Sequence, residues 1–120
     1  MTDAISIADK HTLFSDRWSP KCIAGFDDYD VKIAKIEGEF VWHDHEHEDE
    51  LFLCTKGRLR IEREGMDPIT LTEGEIYVVP KGLRHKPIGE PYAEIMLIER
   101  KGVINTGTEG GDLTAVVEEI

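Results

Sequence analysis

Apolar and polar residues alternate in a series of short segments between Cys22 and Glu99. In Arg58–Glu64, for example, Leu59 and Ile61 alternate with charged residues. Such alternation places successive side chains on opposite faces of a β-strand. Glycine and proline separate the segments, and none of them keeps a helical period over three turns. The pattern predicts about eight short strands, which is typical of an all-β sandwich or barrel.

The alternation also predicts which side chains share a face. In the strand Tyr29–Glu37, we expect Tyr29, Val31 and Ile33 to lie on one face. Leu51–Thr55 is a short apolar strand that ends at a glycine turn. The other predicted elements are a helical turn at Ser6–Lys10, a strand at Phe40–His45, a turn at Pro87–Pro91 and a strand at Tyr92–Glu99.

The chain has the length of a single domain, and its pattern divides it into three parts. Residues 1–28 form an N-terminal segment that is partly extended. Residues 29–101 contain the regular alternation and form the core. Residues 102–120 begin as a Gly- and Thr-rich loop and end in an apolar segment, Leu113–Ile120, that is predicted to dock on the core. The alternative for this last segment is a frayed terminus.

The composition is that of an acidic globular protein. The 120 residues include 14 Lys and Arg against 25 Asp and Glu, which gives a net charge of −11 at pH 7, and 40% of them are hydrophobic. This content is too apolar for an intrinsically disordered chain, and no run approaches the roughly 20 apolar residues of a membrane helix. Because phosphate contacts require a basic patch, we expect neither nucleic acid nor an anionic membrane as a partner.

The N-terminal residues and the cysteines bear on the cellular compartment. The first ten residues lack the basic start and the apolar stretch of a secretion signal. Cys22 and Cys54 have no CxxC spacing, and two such cysteines do not make a disulfide framework. We therefore expect two reduced thiols in a cytoplasmic protein.

Residues 43–50 are the most chemically distinctive block, with three histidines and five carboxylates in eight positions. In a strand, residues i and i+2 point to the same face, so His43 and His45 project side by side and can bind one metal ion. In a helix, the same spacing places two side chains on nearly opposite sides. The surrounding strand pattern therefore favours chelation by His43 and His45.

Two further side chains are candidates to complete a metal site. Glu50 stands directly before an apolar strand that would anchor it on the sheet, and His85 follows a sharp turn that can aim it inward. Three imidazoles and one carboxylate suit one divalent transition metal (Fe, Mn, Ni, Zn or Cu) rather than Ca²⁺ or Mg²⁺. The alternative is a solvated acidic loop and a structural His85. We interpret His47 as a rim residue that contacts substrate.

The same residues form two motifs that resemble those of the cupin superfamily. The first reads Gly38-x4-His43-x-His45-x4-Glu50-x6-Gly57, and the second reads Gly74-x5-Pro80-x-Gly82-x2-His85. They occur in this order with 16 residues between them, and the resemblance covers residues 30–100 of the sequence. Two departures stand out. The first gap is one residue shorter than the usual pattern, and Gly89 replaces an Asn that often follows the last histidine.

The resemblance implies a jelly-roll β-barrel, also called a double-stranded β-helix, with the metal inside it. The residues that match the family's metal ligands are His43, His45, Glu50 and His85. Cupins are commonly homodimers, and many bind a small-molecule ligand. They include dioxygenases, isomerases, decarboxylases and lyases, as well as non-enzymatic metabolite-binding domains, and the fold does not choose among these activities.

Alternation also gives candidates for the wall of the ligand pocket. If Glu50 points inward, Phe52 and Cys54 share its face. Met96 and Ile98 of the last strand then form the opposite wall. The candidate substrate-contacting residues are Phe52, Cys54, Tyr77, Met96, Ile98 and, at the rim, His47. For the first five, the alternative is an ordinary place in the core. Arg60 and Arg84 are candidate anchors for a carboxylate, or else solvated surface charges.

Three functions remain open on this basis. The first is a metal-dependent enzyme with oxygenase or isomerase chemistry on a small organic acid, carbonyl compound or aromatic. The second is a metal-bearing protein that only binds a metabolite. The third is a scaffold in which the histidines and Glu50 have no role in metal binding.

Overall fold

A computed structural model describes residues 3–107, 109–111 and 113–120 of the chain. Within these ranges the chain forms one short helix and seven strands. The elements are α1 (Ile7–His11), β1 (Lys21–Phe26), β2 (Tyr29–Glu39), β3 (Glu50–Arg63), β4 (Met66–Leu71), β5 (Ile76–Val79), β6 (His85–Arg100) and β7 (Glu118–Glu119). The predicted all-β fold is confirmed. No helix in these described ranges is long and apolar enough to cross a membrane.

The strands belong to one sheet with the order β4-β3-β6-β2-β1-β7. All pairings are antiparallel except that of β1 with β7. The two longest strands, β3 and β6, pair along most of their length. β5 pairs with the first part of β3, and β4 pairs with its last part. This arrangement is the jelly roll that the sequence motifs imply.

The long strands bend where their pairing is irregular. The register of β2 with β6 shifts between Glu37 and Gly38, and that of β3 with β6 shifts on both sides of Gly57. Gly57 has a φ of 79°, and a Cβ at this position would lie 2.2 Å from the carbonyl oxygen of Tyr92. Any side chain here would push β6 away from β3, so the bend requires glycine.

The core lies inside the barrel and is formed by alternate residues of the long strands. In β6 every second residue from Ala93 to Glu99 is buried, whereas the residues between them are only half-buried. The buried hydrophobic cluster comprises Ala34 and Ile36 of β2, Phe52, Cys54, Leu59 and Ile61 of β3, Leu71, Val79, and Ala93, Ile95 and Leu97 of β6.

The face that Tyr29, Val31 and Ile33 share is the outer face of β2, because Ala34 and Ile36 point into the core. Ile33 is nevertheless fully buried. The N-terminal segment covers this side of the strand: Lys35, on the same face as Ile33, donates a hydrogen bond to the carbonyl oxygen of Phe14 at 2.7 Å. Both faces of β2 are therefore partly covered.

Three predicted elements were wrong. The strand Leu51–Thr55 does not end at a glycine turn, because β3 continues through Gly57 to Arg63. Phe40–His45 is not a strand but an extended loop, in which His43 alone makes an isolated β-bridge. Pro87–Pro91 is not a turn, because β6 continues through it. A proline lacks the N–H donor of a strand but keeps its carbonyl acceptor. Pro87 uses this acceptor, since the backbone N–H of Phe40 donates to its oxygen at 2.9 Å.

The two terminal segments meet beside Phe40. The indole of Trp18 stacks on Phe40 with ring centroids 4.5 Å apart and donates to the carbonyl oxygen of Glu37. The side-chain amide of Asn105 donates to the carbonyl oxygens of Trp18 and Leu113 at 3.2 and 2.8 Å. Further along, β7 pairs in parallel with β1. The C-terminal segment thus docks on the N-terminal part of its own chain.

Candidate metal centre

The centre begins with a backbone contact between two distant parts of the chain. The N–H of His43 donates to the carbonyl oxygen of His85 at 2.9 Å, and the N–H of His85 donates back at 2.8 Å. Residues that exchange both hydrogen bonds lie directly opposite each other, with their side chains on the same face. The ring centroids of His43 and His85 are accordingly 4.3 Å apart. A third bond, from the N–H of Gly82 to the carbonyl oxygen of His45, fixes the next part of the loop.

Backbone carbonyls fix the orientation of two imidazoles. Nδ1 of His43 lies 3.0 Å from the carbonyl oxygen of Val41, and Nδ1 of His85 lies 2.9 Å from that of Leu83. A carbonyl only accepts, so in each ring Nδ1 carries the proton and Nε2 keeps a free lone pair. Metal-ligating histidines are commonly held in this way.

Glu50, the first residue of β3, supplies the fourth side chain. Its Oε1 lies 3.3 Å from Nε2 of His45 and 3.7 Å from Nε2 of His85. All four buried side chains offer a ligand atom within 4.8 Å of the others. Two atoms that are both bound to an ion at roughly 2.1 Å lie at most about 4.2 Å apart. The distances from Oε1 of Glu50 to the two histidine nitrogens fall within that limit.

The unpaired atoms of the cluster fit a metal ion. Among the described residues, Nε2 of His45, Oε1 of Glu50 and Nε2 of His85 are buried without a hydrogen-bond partner. Buried polar atoms without partners are costly, and one divalent cation would satisfy all three. Imidazole nitrogens with a single carboxylate form a donor set for a transition metal and not for Ca²⁺ or Mg²⁺.

The histidines differ in their affinity for protons. Burial lowers the pKa of His43 to about 4, and the neighbouring His85 adds to this shift. Burial also opposes protonation of His45, but the close contact with Glu50 and its negative charge outweigh burial and raise the pKa of His45 above 6.5. His45 is therefore a candidate ligand at which protons compete with a metal at mildly acidic pH.

Two buried residues beyond the four ligands extend the polar cluster. Burial would raise the pKa of Glu50, but interactions with the neighbouring side chains of Glu99, His45 and His85 hold it well below its ordinary value. Burial and the charge of Glu50 raise the pKa of Glu99 well above its ordinary value, although Lys32 opposes this shift. Nζ of Lys32 lies 2.9 Å from Oε1 of Glu99, and both side chains are only 2% exposed.

A narrow cavity of about 40 Å³ lies against the cluster. Its polar lining residues are His43, Glu50, Glu99 and Asn105, and Trp18 and apolar residues form the rest. The apolar lining residues are Pro20, Ala34, Ile36, Phe40, Phe52, Pro87, Ile95 and Leu97. A water molecule requires about 10–15 Å³ measured in the same way, so the cavity holds about three waters or a small organic group.

The structure places only one of the predicted pocket residues in the lining of this cavity, and that residue is Phe52. Cys54 is buried in the core next to it. Tyr77 is partly buried, and its hydroxyl accepts a hydrogen bond from Arg63. Met96 and Ile98 lie on the outer face of β6, because Ile95 and Leu97 hold the inward positions. The side chain of His47 is 79% exposed.

The two candidate arginine anchors lie away from the cavity. Arg60 is near Glu62 and Glu90, and Arg84 is near Glu64 and Glu109, with both arginine side chains partly exposed. The sequence reasoning missed Lys32, Glu99, Trp18 and Asn105. For Glu99 a signal did exist, since an unbroken β6 gives every second residue after His85 the same inward face.

Comparison with known proteins identifies the family. Residues 29–98 match the family model Cupin_2, described as Cupin domain. An uncharacterized protein of Bacillus subtilis (strain 168), YdbB, is 31% identical over 83 residues, which are 69% of this chain and 67% of that protein.

Two solved structures resemble the fold over most of the chain. A cupin-2 domain containing protein from Shewanella frigidimarina NCIMB 400 has a TM-score of 0.78 and 46% identity, covering 81% of this chain and 94% of that one. Protein NMB1881 from Neisseria meningitidis has a TM-score of 0.75 and 25% identity, covering 82% of this chain and 100% of that one. Solved structures with lower identity that share the fold include enzymes.

We predict that His43→Ala and His85→Ala each lower the affinity for a divalent transition metal by at least about 100-fold, because each removes one of four ligands. Isothermal titration of metal-free protein, together with elemental analysis after dialysis, measures the effect. His47→Ala is the matched control, since it removes an exposed histidine from the same loop and should leave metal affinity unchanged. Full metal content in either ligand variant would contradict the assignment of that histidine.

Metal affinity should also fall on acidification. A proton on His45 must leave before a metal binds, so below the raised pKa of His45 the affinity should drop at least about tenfold per pH unit. His43 does not add to this loss until the pH approaches about 4. Calorimetry in two buffers of different ionisation enthalpy should detect at least about one proton released per metal at pH 6. An affinity that stays constant between pH 7 and pH 5 would refute this assignment.

Proposed function

Because the chain belongs to the cupin domain family, we propose that it holds one divalent transition metal through His43, His45, Glu50 and His85 and binds a small organic metabolite there. The candidate metals are Fe, Mn, Ni, Zn and Cu. The proposal rests on one observation above all: four buried ligand atoms converge within 4.8 Å and adjoin a cavity that is otherwise mostly apolar.

The cavity limits the size and character of the ligand. With about 40 Å³ available, it suits a group of a few non-hydrogen atoms, such as a short organic acid or carbonyl compound. Apolar residues form most of the wall, whereas His43, Glu50 and Glu99 supply polar atoms. A ligand should therefore direct its polar group towards the metal centre and its apolar part towards Ile95 and Leu97.

Four protein ligands leave one or two coordination positions for a substrate. When bound, such a metal supplies Lewis acidity or redox capacity, which supports isomerase or oxygenase chemistry. Glu50 and the histidine Nε2 atoms would hold the ion, and stacked Trp18 and Phe40 form part of the cavity wall beside it. The alternative function is a non-catalytic protein that only binds the metabolite at this site.

The test begins with metal-free protein that is loaded separately with each of the five metals. We expect one ion per chain. Oxygen uptake with catechols, thiols and diketones would support an oxygenase, and conversion of carbonyl compounds followed by NMR would support an isomerase. Binding of such compounds without turnover would favour the non-catalytic function. Protein that takes up none of the five metals would refute the proposed function.

We also propose that the protein is a cytoplasmic homodimer. Both thiols, Cys22 and Cys54, are free, as expected in a reducing compartment. The outer side of the sheet carries apolar side chains in two cross-strand rows, which we call the outer apolar face: Val31, Ile98, Leu51 and Val78 in one row, and Met96, Leu53 and Ile76 in the other.

A second copy of the chain is the partner that suits this face. Each chain carries a charge of −11, so two copies repel unless they meet through an uncharged surface. The outer apolar face contains no charged residue, and Ile76 and Val78 at its edge are 59% and 45% exposed. The other five residues of the face are half-buried, and neighbouring apolar residues that keep part of their surface exposed are typical of a site for a protein partner.

Val78→Glu should dissociate the dimer, because it would bury two like charges at a two-fold interface. Sedimentation at micromolar concentration should give the mass of two chains for the wild type and of one chain for the variant. Met66→Glu is the matched control, since it places the same charge on an exposed apolar residue of β4, outside the outer apolar face. A monomeric wild type would refute the homodimer.

A further inference from the structure

A buried ion pair stands inside the barrel beside the candidate metal centre. Lys32 of β2 and Glu99 of β6 point into the interior from neighbouring strands, and Nζ of Lys32 lies 2.9 Å from Oε1 of Glu99. Each side chain is 2% exposed. Lys32 also donates to the carbonyl oxygen of Val103 at 3.4 Å. Its partners hold the lysine in place and leave it directed at Glu99.

This pair is not explained by its contribution to folding. Removing a lysine and a glutamate from water costs several kcal/mol per ion, and apolar residues of similar size are often equally stabilising or better. The surrounding wall is already apolar, with Ala34, Ile95 and Leu97 close by in sequence and facing the same cavity. The charges of Lys32 and Glu99 are therefore better explained by a role at the cavity than by the stability of the core.

Glu99 has one oxygen available for such a role. Its Oε1 faces Lys32, but within the described part of the chain its Oε2 is buried without a hydrogen-bond partner. Glu99 lines the same cavity as Glu50 and His43. The cavity has a volume of only about 40 Å³, so a molecule that fills it next to the metal centre lies within reach of Glu99.

We propose that Glu99 is a specificity-determining residue, whose Oε2 accepts a hydrogen bond from a hydroxyl group of the organic ligand, while Lys32 holds the carboxylate in position. The inference rests on the proposed function, because it assumes a ligand at the metal centre. The chemical class that it selects is a small hydroxy acid or hydroxy carbonyl compound, with the hydroxyl group next to the group that binds the metal.

A simpler role for Glu99 makes a different prediction. The carboxyl groups of Glu50 and Glu99 interact, so Glu99 could serve only to position Glu50. Its loss would then weaken metal binding and affect all organic ligands alike. In our proposal, its loss selectively weakens ligands that carry the hydroxyl group, and the effect persists when the metal site is saturated.

The experiment compares glycolate and acetate, two small acids that differ by one hydroxyl group. Protein saturated with Co²⁺ is titrated with each acid, and the visible absorption of the ion reports binding. The quantity of interest is the ratio of the two dissociation constants, acetate over glycolate. The preference of the metal itself for a chelating hydroxy acid is the same in every variant and cancels. We expect Glu99→Gln to lower the ratio severalfold and Lys32→Met/Glu99→Met to lower it about tenfold or more.

The variants are chosen to remain folded. Glu99→Gln keeps the shape of the side chain, and the double variant removes both charges together so that no lysine is left unpaired. Asp30→Asn is the matched control. It neutralises a second carboxylate that is paired with a lysine, but this carboxylate lies on β2 and does not line the cavity. A ratio unchanged by both Glu99 variants would overturn the inference even if metal affinity fell. Absence of Co²⁺ binding to the wild type would instead refute the proposed function itself.

Discussion

The two backbone hydrogen bonds between His43 and His85 are the contact on which the candidate metal centre depends. They join a loop without regular strand pairing to the start of β6 and place the two imidazoles side by side, with their ring centroids 4.3 Å apart. A slip of one residue would turn one ring away from the other, since side chains alternate along a strand. The register of β6 against β2 and β3 prevents such a slip. The geometry of the centre is therefore set by strand pairing across the whole barrel.

The four ligand candidates could be predicted from the sequence because their signal is local. His43 and His45 share a face wherever the chain is extended, whether or not it pairs as a strand. Their common orientation was therefore predicted correctly although Phe40–His45 is not a strand. Predicting the cavity wall requires the alternation to be followed along the whole of β6, from His85 to Glu99. The sequence predicted a turn at Pro87–Pro91, and Met96 and Ile98 were the expected wall residues of the strand that follows. In the continuous strand, Ile95 and Leu97 share the inward face with His85.

Lys32 could not be predicted because alternation shows two faces without saying which is buried. In β2 the apolar phase contains Val31 and Ile33. In the structure this phase lies on the outer face, where the N-terminal segment covers Ile33, while Lys32 points into the barrel. The position of that segment depends on contacts between distant residues, such as the hydrogen bond from Lys35 to Phe14, and no local pattern contains them.

The charges inside the barrel explain why these features occur together. Lys32 balances one carboxylate, but the interior holds two, on Glu50 and Glu99, in surroundings that penalise net charge. The opposite pKa shifts of the two glutamates show how a single proton restores the balance when no cation is present. A divalent cation held by Glu50 and the histidines would take over that role and leave Lys32 and Glu99 as a neutral pair. The interior is thus electrostatically suited to a cation at the centre and a polar ligand beside it.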